Sequence, residues 1–191
     1  VKTIIGSEER RRCTIVDKKA IIDSLKDGLI VSCQAVPSEP HYMPGVVPMF
    51  ARCAQWAGAA GLRIDTPDNV REVKAQVDLP VIGLWKIDRG IKDVYITPHF
   101  DAARQLWEAG AEIIAIQATN HRRDDGKLSY ETITEVKERI PQALVFADIA
   151  TAEDAKEAAA RGADFVAPTM YGYVKEGTYT VPQNKDPPDY I

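Results

Sequence analysis

The chain has 191 residues, of which 45% are hydrophobic and 27% charged, and its formal net charge is −4. That length fits one domain, and these values are ordinary for a globular protein, which excludes a disordered chain, a collagen and a coiled coil. The negative balance argues against a broad nucleic-acid surface, and no apolar run reaches the ~18–20 residues of a membrane span. We therefore expect neither a nucleic acid nor a membrane as partner.

The cysteines and the N-terminus indicate the compartment. Cys13, Cys33 and Cys53 are odd in number and lie in a regularly amphipathic chain, which does not fit a disulfide framework. Residues 1–16 precede the first predicted helix and are expected to be an N-terminal extension, without the apolar segment of a secretory signal. No cysteine–histidine cluster indicates a metal site. We therefore predict a cytoplasmic protein with reduced thiols.

Short apolar runs alternate with amphipathic segments along the whole chain. A helix is predicted over 18–25, and strands are predicted over 29–33, 61–65, 80–85, 112–117, 144–149 and 164–169. Between the strands, helices are predicted over 46–59, 97–109, 130–139 and 151–160, and a further helix is predicted to begin at residue 66. Thr66-Pro67 and Thr151 have the residue types that begin helices. An Ala-Gly or Arg-Gly pair precedes a strand three times, which is typical of a β/α repeat.

This alternation predicts an α/β protein with a parallel sheet covered by helices. A doubly wound sheet and a TIM (β/α)8-barrel both fit the order of elements. No GxGxxG pattern follows the first strand, which argues against the dinucleotide-binding version, and the Walker A pattern is also absent.

Polar side chains follow the carboxyl ends of all six predicted strands, where barrel enzymes carry their chemistry. They are Gln34, Arg63, Asp65, Lys86, Gln117, Asp148 and Thr169. Several of them have a structural interpretation as well: Lys86 as a solvated loop residue, Arg63 and Asp65 as a structural pair with neighbouring strands, Asp148 as a helix cap, and Gln34 as an ordinary polar strand end. His99 and His121 are expected to be loop or surface residues. The coincidence at six successive strand ends favours an active site.

Several segments, in this order and spacing, resemble the N-acylmannosamine-6-phosphate 2-epimerase family. The similarity runs from about Ile22 to Ile191. The segments are Val31-Ser32-Cys33-Gln34-Ala35, Gly61-Leu62-Arg63, Pro80-Val81-Ile82-Gly83 with Lys86 and Asp88, Tyr95-Ile96-Thr97-Pro98, Ala118-Thr119, Ala147-Asp148-Ile149 with Thr151, and Gly172-Tyr173.

The resemblance implies a TIM barrel that needs no metal or redox cofactor and interconverts N-acetylmannosamine 6-phosphate and N-acetylglucosamine 6-phosphate in amino-sugar catabolism. It implies that Lys86 is the catalytic lysine and that Gln34, Arg63 and Asp148 bind the phosphorylated N-acyl-amino sugar; we add Thr169 to this binding set. The chemistry suits these residue types, since epimerisation at C2 needs a base and a partner for the enolate.

Three departures from the family pattern leave the sugar specificity open. Strand four ends in Gln117, where the family usually has an acidic residue. Asn120-His121 precede Arg122-Arg123, so that the basic residues are displaced, and Met170 stands where small residues or hydroxyls are expected.

The family's last two barrel units have no counterpart among these 191 residues. Those units would contribute the catalytic glutamate and the phosphate loop, which we therefore expect not to be present in this chain. We predict a single barrel domain over 1–191, with about six of eight units, that ends at the start of the sixth helix of the family, at residues 188–191.

Two other functions remain open on the sequence. One is a non-catalytic sugar-phosphate-binding relative that has lost the last two barrel units. The other is a TIM-barrel enzyme that acts on a different sugar phosphate. An open sheet of six strands would also expose two edges, so that a homodimer is compatible with the sequence, although no dimer surface can be read from it.

Overall fold

The computed structural model describes residues 17–88 and 93–173. The predicted N-terminal extension at 1–16, Cys13, and the helix expected to begin at 188–191 lie outside the described residues. Helices and strands alternate as predicted, in the order α1 (Lys18–Leu25), β1 (Ile30–Cys33), α2 (Val46–Trp56), β2 (Gly61–Asp65), α3 (Pro67–Lys74), β3 (Val81–Leu84), α4 (Phe100–Glu108), β4 (Ile113–Gln117), α5 (Glu131–Arg139), β5 (Leu144–Asp148), α6 (Ala152–Ala160) and β6 (Phe165–Ala167).

Helices α1, α3, α4 and α6 begin where a side chain accepts from a backbone amide of the first turn. The Thr151 hydroxyl accepts from the Asp154 amide while the Asp154 carboxylate accepts from the Thr151 amide, which is a complete capping box. At the start of α3 the Thr66 hydroxyl accepts from the Asn69 amide at 3.4 Å, with Pro67 in the first turn. These predicted helix starts are confirmed.

Helix α4 begins later than its predicted start at Thr97. It starts at Phe100, and the ring nitrogen Nδ1 of His99 accepts from the Ala102 amide at 3.3 Å. Thr97 cannot join the helix, because its φ is +46° and both its amide and its hydroxyl are bonded to the backbone of Trp85. His99 thus lies in a loop, as expected, but it has a definite structural role as a cap.

The six strands form one parallel sheet in the order β1-β2-β3-β4-β5-β6. Sequential order without a reversal is the order of a barrel, whereas a doubly wound sheet reverses direction at a switch point. The TIM-barrel prediction is therefore confirmed over these six strands and the helices that connect them. No helix in the described ranges is long and apolar enough to cross a membrane.

Alternate side chains of each strand face two different apolar layers, because successive side chains of a strand point to opposite faces. The outer layer packs the sheet against the helices and includes Leu62, Ile64, Val81, Ile114, Ile116, Val145, Val70, Leu106 and Ile133. The inner layer lies on the other face and includes Ile82, Leu84, Ile113, Ala115, Leu144 and Met170.

A contact across the inner face demonstrates that the sheet is strongly curved. The Arg63 guanidinium on β2 lies 2.6 Å from the Asp148 carboxylate on β5. Strands three positions apart in a flat sheet would be roughly 14 Å apart, which is further than an arginine and an aspartate reach together. The inner face is therefore concave, and side chains from distant strands can meet on it.

Candidate functional site

The carboxyl ends of the strands bring most of the predicted polar residues to one rim of the concave face. In the register of β1 and β2, Ser32 lies level with Arg63, and in that of β4 and β5, Gln117 lies level with Asp148. Parallel strands all end at the same edge of a sheet, which is why residues so distant in sequence converge there.

Lys86, two residues after β3, is held by the side chain of Gln34, directly after β1. The Lys86 ammonium donates to the Gln34 carbonyl oxygen Oε1, and the Gln34 amide nitrogen donates to the Ser32 hydroxyl at 2.7 Å. The second bond orients the amide, because only its oxygen can then face the lysine. Both Lys86 and Gln34 are half-buried, so that each still meets solvent at the rim.

Arg63, Asp148 and Thr169 form a second group on the same face. Besides its ion pair with Arg63, the Asp148 carboxylate accepts from the Thr169 hydroxyl at 2.5 Å. Asp148 is fully buried, and only 13% of the Arg63 side chain is exposed. The Arg63 guanidinium also lies over the Phe146 ring, 5.3 Å from its centroid, a distance typical of a cation–π contact.

One donor of this group is unused. Nη1 of Arg63 is buried and has no hydrogen-bond partner among the residues the structure describes. A buried donor without a partner costs about 1–3 kcal/mol, so such an atom in a native structure calls for an explanation. A ligand oxygen on the concave face would supply the missing acceptor.

Asp65 belongs to this rim although it is not among the predicted substrate-binding residues. Its Oδ1 accepts from the Lys86 backbone amide at 3.1 Å, so the end of β2 holds the residue that carries the lysine. The sequence also allowed Arg63 and Asp65 to form a structural pair with neighbouring strands. In the structure Asp65 bonds to the segment after β3, whereas Arg63 pairs with Asp148 on β5. The spacing of two residues, which places Arg63 and Asp65 on the same face of β2, was the available signal for this residue.

Burial raises the pKa of the Asp65 carboxyl above its ordinary value near 3.8, because the loss of solvation outweighs the hydrogen bond from the Lys86 amide. The folded protein therefore binds a proton at Asp65 more readily than the unfolded chain does. The free energy of unfolding should fall as the pH rises from the ordinary value through the raised one.

We expect the isosteric Asp65→Asn variant to lose this dependence while an acceptor for the Lys86 amide is retained. The measurement is the free energy of unfolding from urea titrations at several pH values above 3.8. The difference between wild type and variant should change with pH in that window, with the variant gaining relative stability as the pH rises. If the difference in free energy of unfolding between wild type and variant did not change with pH, the raised pKa of Asp65 would be contradicted.

The displaced basic residues do not join the rim as free cations. Only 4% of the Arg123 side chain is exposed, and its guanidinium is paired with Asp125 at 2.6 Å and Glu135 at 3.0 Å. Arg122 donates to the Gly126 carbonyl at 2.6 Å. Both arginines thus stabilise the connection between β4 and α5.

Comparison with known proteins agrees with this geometry. The family model described as "Putative N-acetylmannosamine-6-phosphate epimerase" matches residues 47–190. A protein named as a putative N-acetylmannosamine-6-phosphate 2-epimerase of Listeria welshimeri is 36% identical over 83% of this chain and 67% of its own length. One of the same name from an Enterobacter strain is 39% identical over 87% of this chain and 71% of its own length.

Among solved structures, the N-acetylmannosamine-6-phosphate 2-epimerase of Clostridium perfringens superimposes with a TM-score of 0.74 at 32% identity, over 81% of this chain and 66% of that one. The structure of a protein named as a putative deoxyribose-phosphate aldolase, from Coccidioides immitis, has 18% identity and a TM-score of 0.53, and its similarity concerns the fold alone. The chain thus spans about two thirds of the length of its relatives. Sequence, family model and structure agree that the chain belongs to the N-acetylmannosamine-6-phosphate epimerase family.

Proposed function

We propose that the protein interconverts N-acetylmannosamine 6-phosphate and N-acetylglucosamine 6-phosphate by removing and returning the proton at C2. One observation carries the proposal beyond family membership: a lysine amine, held by a neutral amide, shares the concave face with a buried arginine that has an unused donor. Nothing in the comparisons favours the non-catalytic alternative.

Lys86 is the proposed base. In the open-chain sugar the C2 proton lies next to the C1 aldehyde, so its removal by the neutral amine leaves an enolate. Gln34 is uncharged, and its carbonyl oxygen accepts from the lysine, which fixes the direction of the amine at the rim. Return of a proton to the opposite face of the enolate inverts C2.

Arg63 is the proposed partner of the developing charge. Its free Nη1 would donate to the C1 oxygen, where the negative charge of the enolate concentrates. Asp148 and Phe146 hold the guanidinium in place before the substrate arrives. Thr169 is exposed and offers its hydroxyl group to the sugar, while the buried Asp148 holds that hydroxyl and the Arg63 guanidinium beneath the substrate.

The test is hydrogen exchange at C2. The full-length protein is incubated in deuterium oxide with N-acetylmannosamine 6-phosphate, and NMR follows both the loss of the C2 proton signal and the appearance of the epimer. We expect deuterium in both epimers, because the proton removed by an amine at a solvent-accessible rim exchanges with water. Absence of both exchange and epimer would overturn the proposed function.

We also infer a cytoplasmic location. Cys33 and Cys53 are free thiols in the structure, and free thiols are typical of a reducing compartment. The homodimer and the absence of a nucleic-acid partner stay predictions.

A further inference from the structure

Gln117, at the end of β4, makes an unusually complete set of side-chain hydrogen bonds. It is fully buried, its Oε1 accepts from the amides of Tyr95 at 3.0 Å and Ile96 at 3.4 Å, and its Nε2 donates to the Asp93 carbonyl at 2.6 Å and the Thr119 hydroxyl at 3.2 Å. A primary amide has two donors and two acceptor sites, so its capacity is used up. Gln117 therefore has no bond left for a substrate.

The segment that Gln117 holds, residues 93–97, lies directly against the backbone of the lysine. Lys86 and Ile96 form an antiparallel bridge. On either side of it, the Ile87 amide donates to the Tyr95 carbonyl and the Thr97 amide to the Trp85 carbonyl, both at 2.8 Å. We call this short ladder, formed by residues 85–87 and 95–97, the lysine clip.

Two features indicate that the clip is imposed by its surroundings. Thr97 is buried with φ +46°, a left-handed conformation that β-branched residues rarely adopt and that persists only where the surrounding structure enforces it. The Gln117 backbone amide also donates to the Ile96 carbonyl at 3.0 Å, so that main chain and side chain of one residue together fix this strand of the clip.

An acidic residue at this position could not make the same contacts. A carboxylate would accept from the amides of Tyr95 and Ile96, but it has no hydrogen to donate to the Asp93 carbonyl unless it is protonated. The amide is thus the group that satisfies donors and acceptors of the segment together at neutral pH.

We propose that Gln117 is a positioning residue, which sets the place of Lys86 through the lysine clip, and that it is not a determinant of sugar specificity. The effect of Gln117 on catalysis rests on the proposed function. Its effect on the position of the Lys86 backbone and amine does not. Loss of the side-chain amide frees residues 93–97, loosens the backbone bonds on both sides of Lys86, and disturbs the alignment of the amine.

The experiment compares Gln117→Ala and Gln117→Glu with the exposed control variants Gln76→Ala and Gln76→Glu. Amide hydrogen exchange reports on the clip at Ile87 and Thr97, with the Leu144 amide, which donates to Glu112, as the reference elsewhere in the sheet. We expect protection at Ile87 and Thr97 to fall about tenfold or more in Gln117→Ala, with Leu144 within about twofold of wild type. A parallel fall at all three amides, or none, would overturn the proposal.

A second readout concerns the lysine itself and needs no substrate. Trace acetylation with mass spectrometry gives the reactivity of Lys86 against pH, with the exposed Lys156 as internal reference. We expect the reactivity profile of Lys86 to change in both Gln117 variants and in neither Gln76 variant. Loosening of the clip with an unchanged Lys86 profile would show that Gln117 is structural only, and would overturn the proposal.

If the Gln117→Ala variant does not fold, the Gln117→Glu variant tests the same role of the amide through its dependence on pH. Burial favours the protonated form of a carboxyl group, which can still donate to the Asp93 carbonyl. Protection factors at Ile87 and Thr97 should therefore be near those of wild type at low pH and fall about tenfold as the introduced group ionises. Protection factors that do not depend on pH would contradict the role of the amide.

Measurements of kcat and KM distinguish a failure of this inference from a failure of the proposed function. For Gln117 variants we expect kcat, corrected for the folded fraction, to fall about tenfold or more with KM within about threefold of wild type. If the wild-type protein shows no C2 exchange, the proposed function fails, while hydrogen exchange and acetylation still decide whether Gln117 positions Lys86. If the wild type is active and kcat of the variants is unchanged, the positioning role fails alone.

Discussion

Replacement of Lys86 by alanine should slow C2 hydrogen exchange in N-acetylmannosamine 6-phosphate by about 10²–10⁴-fold, the range typical for loss of a positioned general base. The loss should appear in kcat, because the amine acts on the proton in the transition state, while KM changes little. The measurement is the initial rate of deuterium incorporation at C2, followed by NMR at saturating substrate.

The matched control is Lys156→Ala, which removes an exposed lysine from α6 on the outside of the sheet. We expect this variant to exchange C2 hydrogen at the wild-type rate. If Lys86→Ala retained more than about a tenth of the wild-type rate while its fold was intact, another group would have to be the base.

The second large effect concerns stability. Asp148→Ala should lower the free energy of unfolding by about 3–5 kcal/mol, because it leaves the mostly buried Arg63 guanidinium without its counter-charge. The variant also leaves the Thr169 hydroxyl without its acceptor. Urea unfolding followed by circular dichroism gives the midpoint and the slope from which this free energy is obtained.

Two comparisons make this prediction specific. Asp23→Ala breaks an exposed pair with Lys19 on α1 and should barely move the urea midpoint, since exposed ion pairs contribute little. Arg63→Met in the Asp148→Ala background should recover part of the lost stability, because it removes the uncompensated charge. Additive losses in the double variant would show that the two side chains do not act as a buried pair.

The ion pair links the stability of the fold to the proposed function. Asp148 compensates the Arg63 charge and so allows a guanidinium to lie on the concave face, where one of its donors is unused. Such an arrangement costs stability in the free protein, and binding of a ligand oxygen would recover it. Ligand binding should consequently raise the stability of the folded protein.

The sequence by itself determined the order of the elements and the rim on which the candidate site lies. Apolar runs of strand length separated by amphipathic helices identify a parallel sheet, because each pattern has its own periodicity. Polar residues at successive strand ends, such as Gln34, Lys86 and Asp148, then share one edge of that sheet. Those inferences need only local information and the rule that parallel strands end at the same side.

The tertiary structure decided which of these side chains act together. Nothing in the local sequence relates Arg63 to Asp148 or Lys86 to Gln34, since these pairs lie 85 and 52 residues apart and depend on the curvature and register of the sheet. The role of Gln117 is of the same kind. Its sequence position indicated only a departure at a strand end, whereas the fold brings the backbone of residues 93–96 within reach of its amide. Side-chain partners across a sheet depend on packing over long separations, and a periodic pattern carries no information about them.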